Sequence, residues 1–155
     1  MESRKPFNAG PTLRGCALVL VALAVSACND DSNPKQEALN ENRAKWEASG
    51  VAAYMFEQRV ACACPFEEPI VTMVENGVVT SAFFTPSGVN LDAERLASVR
   101  TLDGFFDVVQ LAINDDAFQL DVSYDNTYGF PTRIAIDFAS DVIDDEITYT
   151  ISGFQ

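Results

Sequence analysis

Histidine is absent from the 155 residues, so the commonest general base and the commonest metal ligand are missing together. Basic residues are scarce: 10 Lys and Arg stand against 23 Asp and Glu, a formal charge of -13. A surface that acidic repels nucleic acid and anionic lipid, so nucleic acid is excluded as a partner and cationic, neutral or metal-ion partners are favoured. P-loop, nucleophile-elbow and two-histidine metal motifs are missing too, and the sequence therefore predicts a protein that is not an enzyme. What is present is a normal apolar fraction of 48%, enough for a real core and incompatible with a disordered chain.

The N-terminus is the most informative segment. Arg4, Lys5 and Arg14 form a basic region ahead of the apolar run Cys16 to Ala24, which is too short to cross a bilayer comfortably as a permanent helix and reads as an export signal. The following Val25-Ser26-Ala27-Cys28 resembles the bacterial lipobox, in which an aliphatic residue and two small ones precede a cysteine. That resemblance implies cleavage before Cys28, a diacylglycerol on its thiol and an acyl chain on its new amine. Residues 1–27 are then a signal peptide, 28–34 a lipidated polar tether and 35–155 a single domain. Three acyl chains exceed the two that hold a protein stably on a membrane. Asn29 after the cysteine favours, by similarity to enteric lipoproteins, the outer over the inner membrane. Loss of the signal leaves 7 basic and 22 acidic residues, or -15.

Cysteine usage narrows in the same way. With Cys16 removed and Cys28 acylated, Cys62 and Cys64 remain, and in an oxidising compartment such a C-x-C pair reads as a local disulfide, a redox-active pair or half a metal site. On an extended strand the two would lie about 6.6 Å apart, near the upper limit for a disulfide. Bonding therefore needs a bend, and Cys64-Pro65 offers one. Zinc is the weakest reading, because two thiolates leave half the tetrahedron to carboxylates.

Along the mature chain, Lys35 to Ser49 is rich in helix formers, places Leu39 and Trp46 on one face and stops at Gly50. Tyr54, Phe56, Val60 and Cys62 alternate with Met55, Glu57, Arg59 and Ala61, the pattern of a half-buried strand. Two further strands, Ile70 to Val74 and Val78 to Phe84, flank Asn76-Gly77, which predicts a two-residue type I′ hairpin. Leu91 to Val99 suggests a short helical piece. Thr101 is a good N-cap for an amphipathic helix carrying Leu102, Phe105, Phe106, Val109 and Ile113. Phe118, Leu120, Val122 and Tyr124 form the next alternating set, followed by Ile134, Ile136 and Phe138, then Ile147, Tyr149 and Ile151. The expectation is an α+β fold: an antiparallel sheet of about six strands with two main helices on one face, arranged as an α-β-β-β duplication.

The scattered set Trp46, Tyr54, Cys62-Ala63-Cys64, Asn76-Gly77, Phe105-Phe106-Asp107, Tyr124-Asp125 with Gly129-Phe130-Pro131, and Asp144-Asp145-Glu146 with Tyr149 resembles a family of small, uncharacterised bacterial secreted proteins and lipoproteins, from about Trp46 to Phe154. The resemblance implies no known activity. Within it, Gly129 permits a positive φ and Pro131 fixes the start of the following strand, so this turn reads as structural. Asp137, Asp141, Asp144, Asp145 and Glu146, with Asp125 and Asn126 taken as neighbours, offer hard oxygen ligands that Ca²⁺ requires, while a solvated acidic hairpin accounts for the same residues. No other cofactor is indicated. The function expected is a membrane-anchored envelope lipoprotein with a non-enzymatic binding or structural domain, its partner a protein or small molecule. A thiol-disulfide role for Cys62 and Cys64, or calcium binding, stand as alternatives.

Overall fold

Asn33 opens the fold by capping helix α1 (Pro34–Ser49), its side-chain oxygen accepting from the Lys35 N–H at 3.0 Å. Pro34, assigned from sequence to the tether, is instead the first helical residue, because its preset φ suits that position and its missing N–H would be unpaired there anyway. Gly50 ends the helix in the left-handed region, φ 65°. The computed structural model describes residues 33–63 and 68–155; the signal segment, Cys28, most of the tether, Cys64 and Pro65 lie outside the described residues. Among the described residues no helix is long and apolar enough to cross a membrane.

Six strands follow: β1 (Ala53–Cys62), β2 (Ile70–Glu75), β3 (Val78–Phe84), β4 (Gln119–Tyr124), β5 (Pro131–Asp137) and β6 (Ile147–Ser152), with a short α2 (Ala93–Leu96) and the longer α3 (Leu102–Asn114) between β3 and β4. They form one antiparallel sheet in the order β3-β2-β1-β6-β5-β4. Asn76 and Gly77 both take positive φ, 51° and 77°, as the predicted hairpin demands. Helix-then-three-strands does occur twice in chain order, but the two runs are placed differently: the first strand of the first run, β1, is central, whereas the first strand of the second, β4, is an edge. The duplication is one of element order and not of spatial arrangement.

Alternation in every strand turns one face of the sheet toward the helices. That face carries Tyr54 and Phe56 of β1, Thr72 and Val74 of β2, Ala82 of β3, Leu120 of β4, Ile134 and Ile136 of β5, and Tyr149 and Ile151 of β6, all buried. Against them lie Leu39 and Trp46 of α1 and Leu102, Phe105, Phe106 and Val109 of α3. Each fully buried side chain of this size contributes about 1.5–3 kcal/mol. Phe118 and Phe138 break the predicted pattern and stay 61% and 45% exposed, since β4 starts one residue after the former and β5 ends one residue before the latter.

α1 and α3 run antiparallel and are tied by polar contacts along their length. Gln36 and Gln110 exchange amide hydrogen bonds at 2.9 and 2.7 Å, Arg43 meets Asp107 at 2.9 Å, and the Trp46 indole N–H donates to Asp103 at 3.1 Å. At the start of α3 the Thr101 hydroxyl accepts from Gly104 N–H at 3.1 Å, and the Tyr54 hydroxyl accepts from Leu102 N–H at 3.2 Å. Burial pushes the Tyr54 phenol up to about 12, reinforced by the Asp103 carboxylate and offset in part by the Leu102 hydrogen bond. Burial likewise raises Tyr124 to about 12. Both folded values lie above the unfolded value of 10.0, so the unfolded chain loses these protons first. Their contribution to stability is complete below pH 10 and declines as pH rises toward 12. Urea titrations at pH 8, 10 and 11.5 should show that decline, and Tyr54→Phe should reduce it.

Candidate functional site

β1 and β5 end, and β6 begins, beside the C-terminal half of α3, and the space between them is a cavity of about 640 Å³. Its walls are apolar where the secondary structure supplies them: Val60 from β1, Val108, Leu111 and Ala112 from α3, Ile136 from β5 and Ile147 from β6. Its charge comes from segments that leave those elements, with Asp115 just past α3 and Asp144, Asp145 and Glu146 on the β5–β6 connection. Four acidic residues and one arginine, Arg100, thus share the lining with apolar side chains. Asp145 also shapes the connection: one carboxylate oxygen accepts from the Ala139 N–H at 2.9 Å, and the other is buried without a donor among the described residues. Such an unmet acceptor is uncommon in folded proteins.

The sequence-predicted groups are only partly assembled here. Cys62, at the end of β1, lines the same cavity as Asp144, Asp145 and Glu146, a juxtaposition of two features read separately in the sequence. Asp125, by contrast, sits at the opposite end of β5, roughly 20 Å away by strand rise. Its Oδ1 accepts from Thr127 N–H at 2.8 Å and Tyr128 N–H at 2.6 Å, closing the β4–β5 turn. Asp137 pairs with Gln119 in the sheet, on the face away from the helices, while Asp141 is exposed in the connection. Among the described residues no three Asp, Glu, Cys or His groups converge to hold a metal ion. The residues of the expected calcium set are thus divided by β5 between two ends and two faces.

Gly129 lies in the β4–β5 turn and Pro131 opens β5. Gly129 takes φ 83°, and a Cβ placed on it would lie 2.5 Å from the Asn42 carbonyl oxygen of α1. The β4–β5 turn is thus pressed against α1, and the Lys45 ammonium donates to the Asn126 carbonyl from the same helix. Pro131 is buried at the start of β5.

Sequence reasoning missed Gln58, Thr72 and Arg100. Gln58 faces inward between Phe56 and Val60 and is only 7% exposed. Its amide donates to the Thr72 hydroxyl at 2.8 Å and to the Arg100 carbonyl at 3.1 Å. This pins the backbone ahead of α3 and holds the Arg100 guanidinium 5.5 Å from the Tyr149 ring centre, an arrangement favoured by the negative face of the aromatic ring. Arg100 and Val60 also line an adjoining cavity of about 510 Å³ beneath α2, so the two spaces share a wall. The available signal was a polar residue at an inward position of an alternating strand.

An antiparallel sheet with its helices on one face and an acidic, apolar-walled cavity at one end makes this a small α+β domain of the two-layer kind. Within that class the chain belongs to the Family of unknown function (DUF6174), whose model matches residues 38–155 and so includes most of α1 ahead of Trp46. Neither a curated protein nor a solved structure matches the chain significantly.

Proposed function

We propose that this protein is a lipid-anchored component of the bacterial envelope, on the outer membrane in preference to the inner, whose domain binds a partner without turning it over. The cavity beside Cys62 carries the binding reading. Its volume of about 640 Å³ falls in the range of small-molecule sites, and its lining joins apolar side chains to four acidic residues, Arg100 and Tyr149. The favoured ligand is a neutral or cationic molecule, or a basic protein side chain with an apolar stem. Anchoring is supported by the basic segment, apolar run and Val25-Ser26-Ala27-Cys28. Globomycin, which blocks lipoprotein signal cleavage, should make the precursor accumulate, and Cys28→Ser should move the protein out of the membrane fraction. Unchanged processing and unchanged fractionation would refute the anchor.

A redox role is the second reading, because Cys62 is disulfide-bonded; a bond to Cys64 is the arrangement proposed. The cavity disfavours exchange chemistry, however. Four carboxylates share its lining with Cys62, and negative charge raises a thiol's pKa and suppresses the attacking thiolate. A structural clip closing the end of β1 fits that environment better. Alkylation before and after reduction, followed by mass spectrometry, separates the two: a clip stays oxidised, while a redox pair is found partly reduced in cells.

A further inference from the structure

We propose that the end of the domain bearing Leu111, Phe118, Phe138, Val142 and Ile143 docks on a bilayer surface of neutral phospholipid with amine headgroups; this rests on the lipid-anchored reading above. These five side chains are 59%, 61%, 45%, 51% and 86% exposed. They converge at one end: Leu111 lies in the last turn of α3, Phe118 donates its N–H to the Phe138 carbonyl at 3.4 Å between β4 and β5, and Val142 and Ile143 project from the β5–β6 connection. A gathering of large exposed apolar groups, unlike single ones, marks an interaction surface.

The position of α1 identifies the occupant. Because α1 is antiparallel to α3, with Gln36 against Gln110 and Trp46 against Asp103, its first residue lies toward the C-terminal end of α3, the end that carries the patch. Four residues, 29–32, separate Asn33 from Cys28. A chain that short spans at most roughly 18 Å even when fully extended. An acylated Cys28 therefore holds this end of the domain, and not the Asn76-Gly77 hairpin end, close to the lipid. Side chains such as Phe, Leu and Ile then enter the boundary between headgroups and acyl chains.

Charge selects the lipid. Asp115, Asp116, Asp141, Asp144 and Glu146 surround the patch and are exposed, so anionic headgroups are repelled while the ammonium of an aminophospholipid finds a partner.

The test uses the full lipidated chain in vesicles of phosphatidylethanolamine and phosphatidylcholine, with acylation of Cys28 verified by mass spectrometry. Tryptophan is introduced by Ile143→Trp at the patch or Val78→Trp near the hairpin, both exposed positions that leave the core intact. With brominated acyl chains the Ile143→Trp signal, read above buried Trp46, should fall about twofold or more and shift to the blue, as for a group entering the interface. The Val78→Trp signal should not. Replacing the neutral lipid with phosphatidylglycerol should weaken quenching at low salt. Equal emission at residue 143 with and without bromine would overturn the docking alone, and so would a photo-crosslink from residue 143 to a protein in native membranes. An unacylated Cys28 would overturn the anchoring and the docking together.

Discussion

Gly129→Ala should lower the stability of the domain by roughly 3 kcal/mol or more, a large fraction of the ~5–15 kcal/mol that holds a domain folded. Two costs combine. A side chain at φ 83° is strained by about 1–2 kcal/mol, and the added carbon would lie 2.5 Å from the Asn42 carbonyl oxygen and 3.0 Å from Lys45 Cβ. Asn42 is held within α1, so relief requires moving the whole β4–β5 turn off the helix. Gly153→Ala is the matched control: its φ is 64°, yet nothing lies within 4 Å of the new carbon. It should show the strain without the clash, about 1–2 kcal/mol. Urea unfolding of the two variants beside the parent measures the difference, and equal losses would show that the contact with α1 is unimportant.

The second large effect is expected at Trp46. Trp46→Ala should cost about 3–5 kcal/mol, the range for truncating a buried aromatic residue. Trp46 is 4% exposed and meets Tyr54, Phe130 and Phe154 edge-on, at 5.3, 6.0 and 6.0 Å between ring centres. It therefore joins the end of α1 to the first strand, the β4–β5 turn and the C-terminal tail, the last two far from it in sequence. Trp46→Phe should retain much of the packing and lose the hydrogen bond to Asp103, a smaller cost of roughly 1–2 kcal/mol. Thermal unfolding followed by circular dichroism orders the variants, and an alanine variant no weaker than the phenylalanine one would contradict the packing account.

Much of the fold was legible because its signals are local. Asn76-Gly77 encodes its own turn and so places the two strands beside it, Thr101 and Gly50 mark helix ends, and period-two alternation picks out the other four strands. Tertiary placement left no such trace. Nothing local to Cys62 indicates that Asp144 to Glu146 will stand in the same cavity, since β1 and β6 become neighbours only through long-range pairing. The same blindness joined Asp125 to the acidic connection, when the length of β5 holds them apart. Phe118 and Phe138 continued the alternation of their strands on paper, but periodicity does not show where sheet pairing stops. Gln58 was passed over for a related reason: an inward polar residue reads as a defect until its partners, Thr72 and Arg100, are in place.

The pairing of β1 with β6 also bears on how such a chain can be made. The first and last strands lie side by side at the middle of the sheet, roughly ninety residues apart in chain order, and Gln155 exchanges two 3.0 Å backbone hydrogen bonds with Met55. The central seam cannot close until β6 is available to pair with β1. Completion of the sheet is thus limited by one long-range pairing, so the domain should fold more slowly than a sheet assembled from hairpins alone.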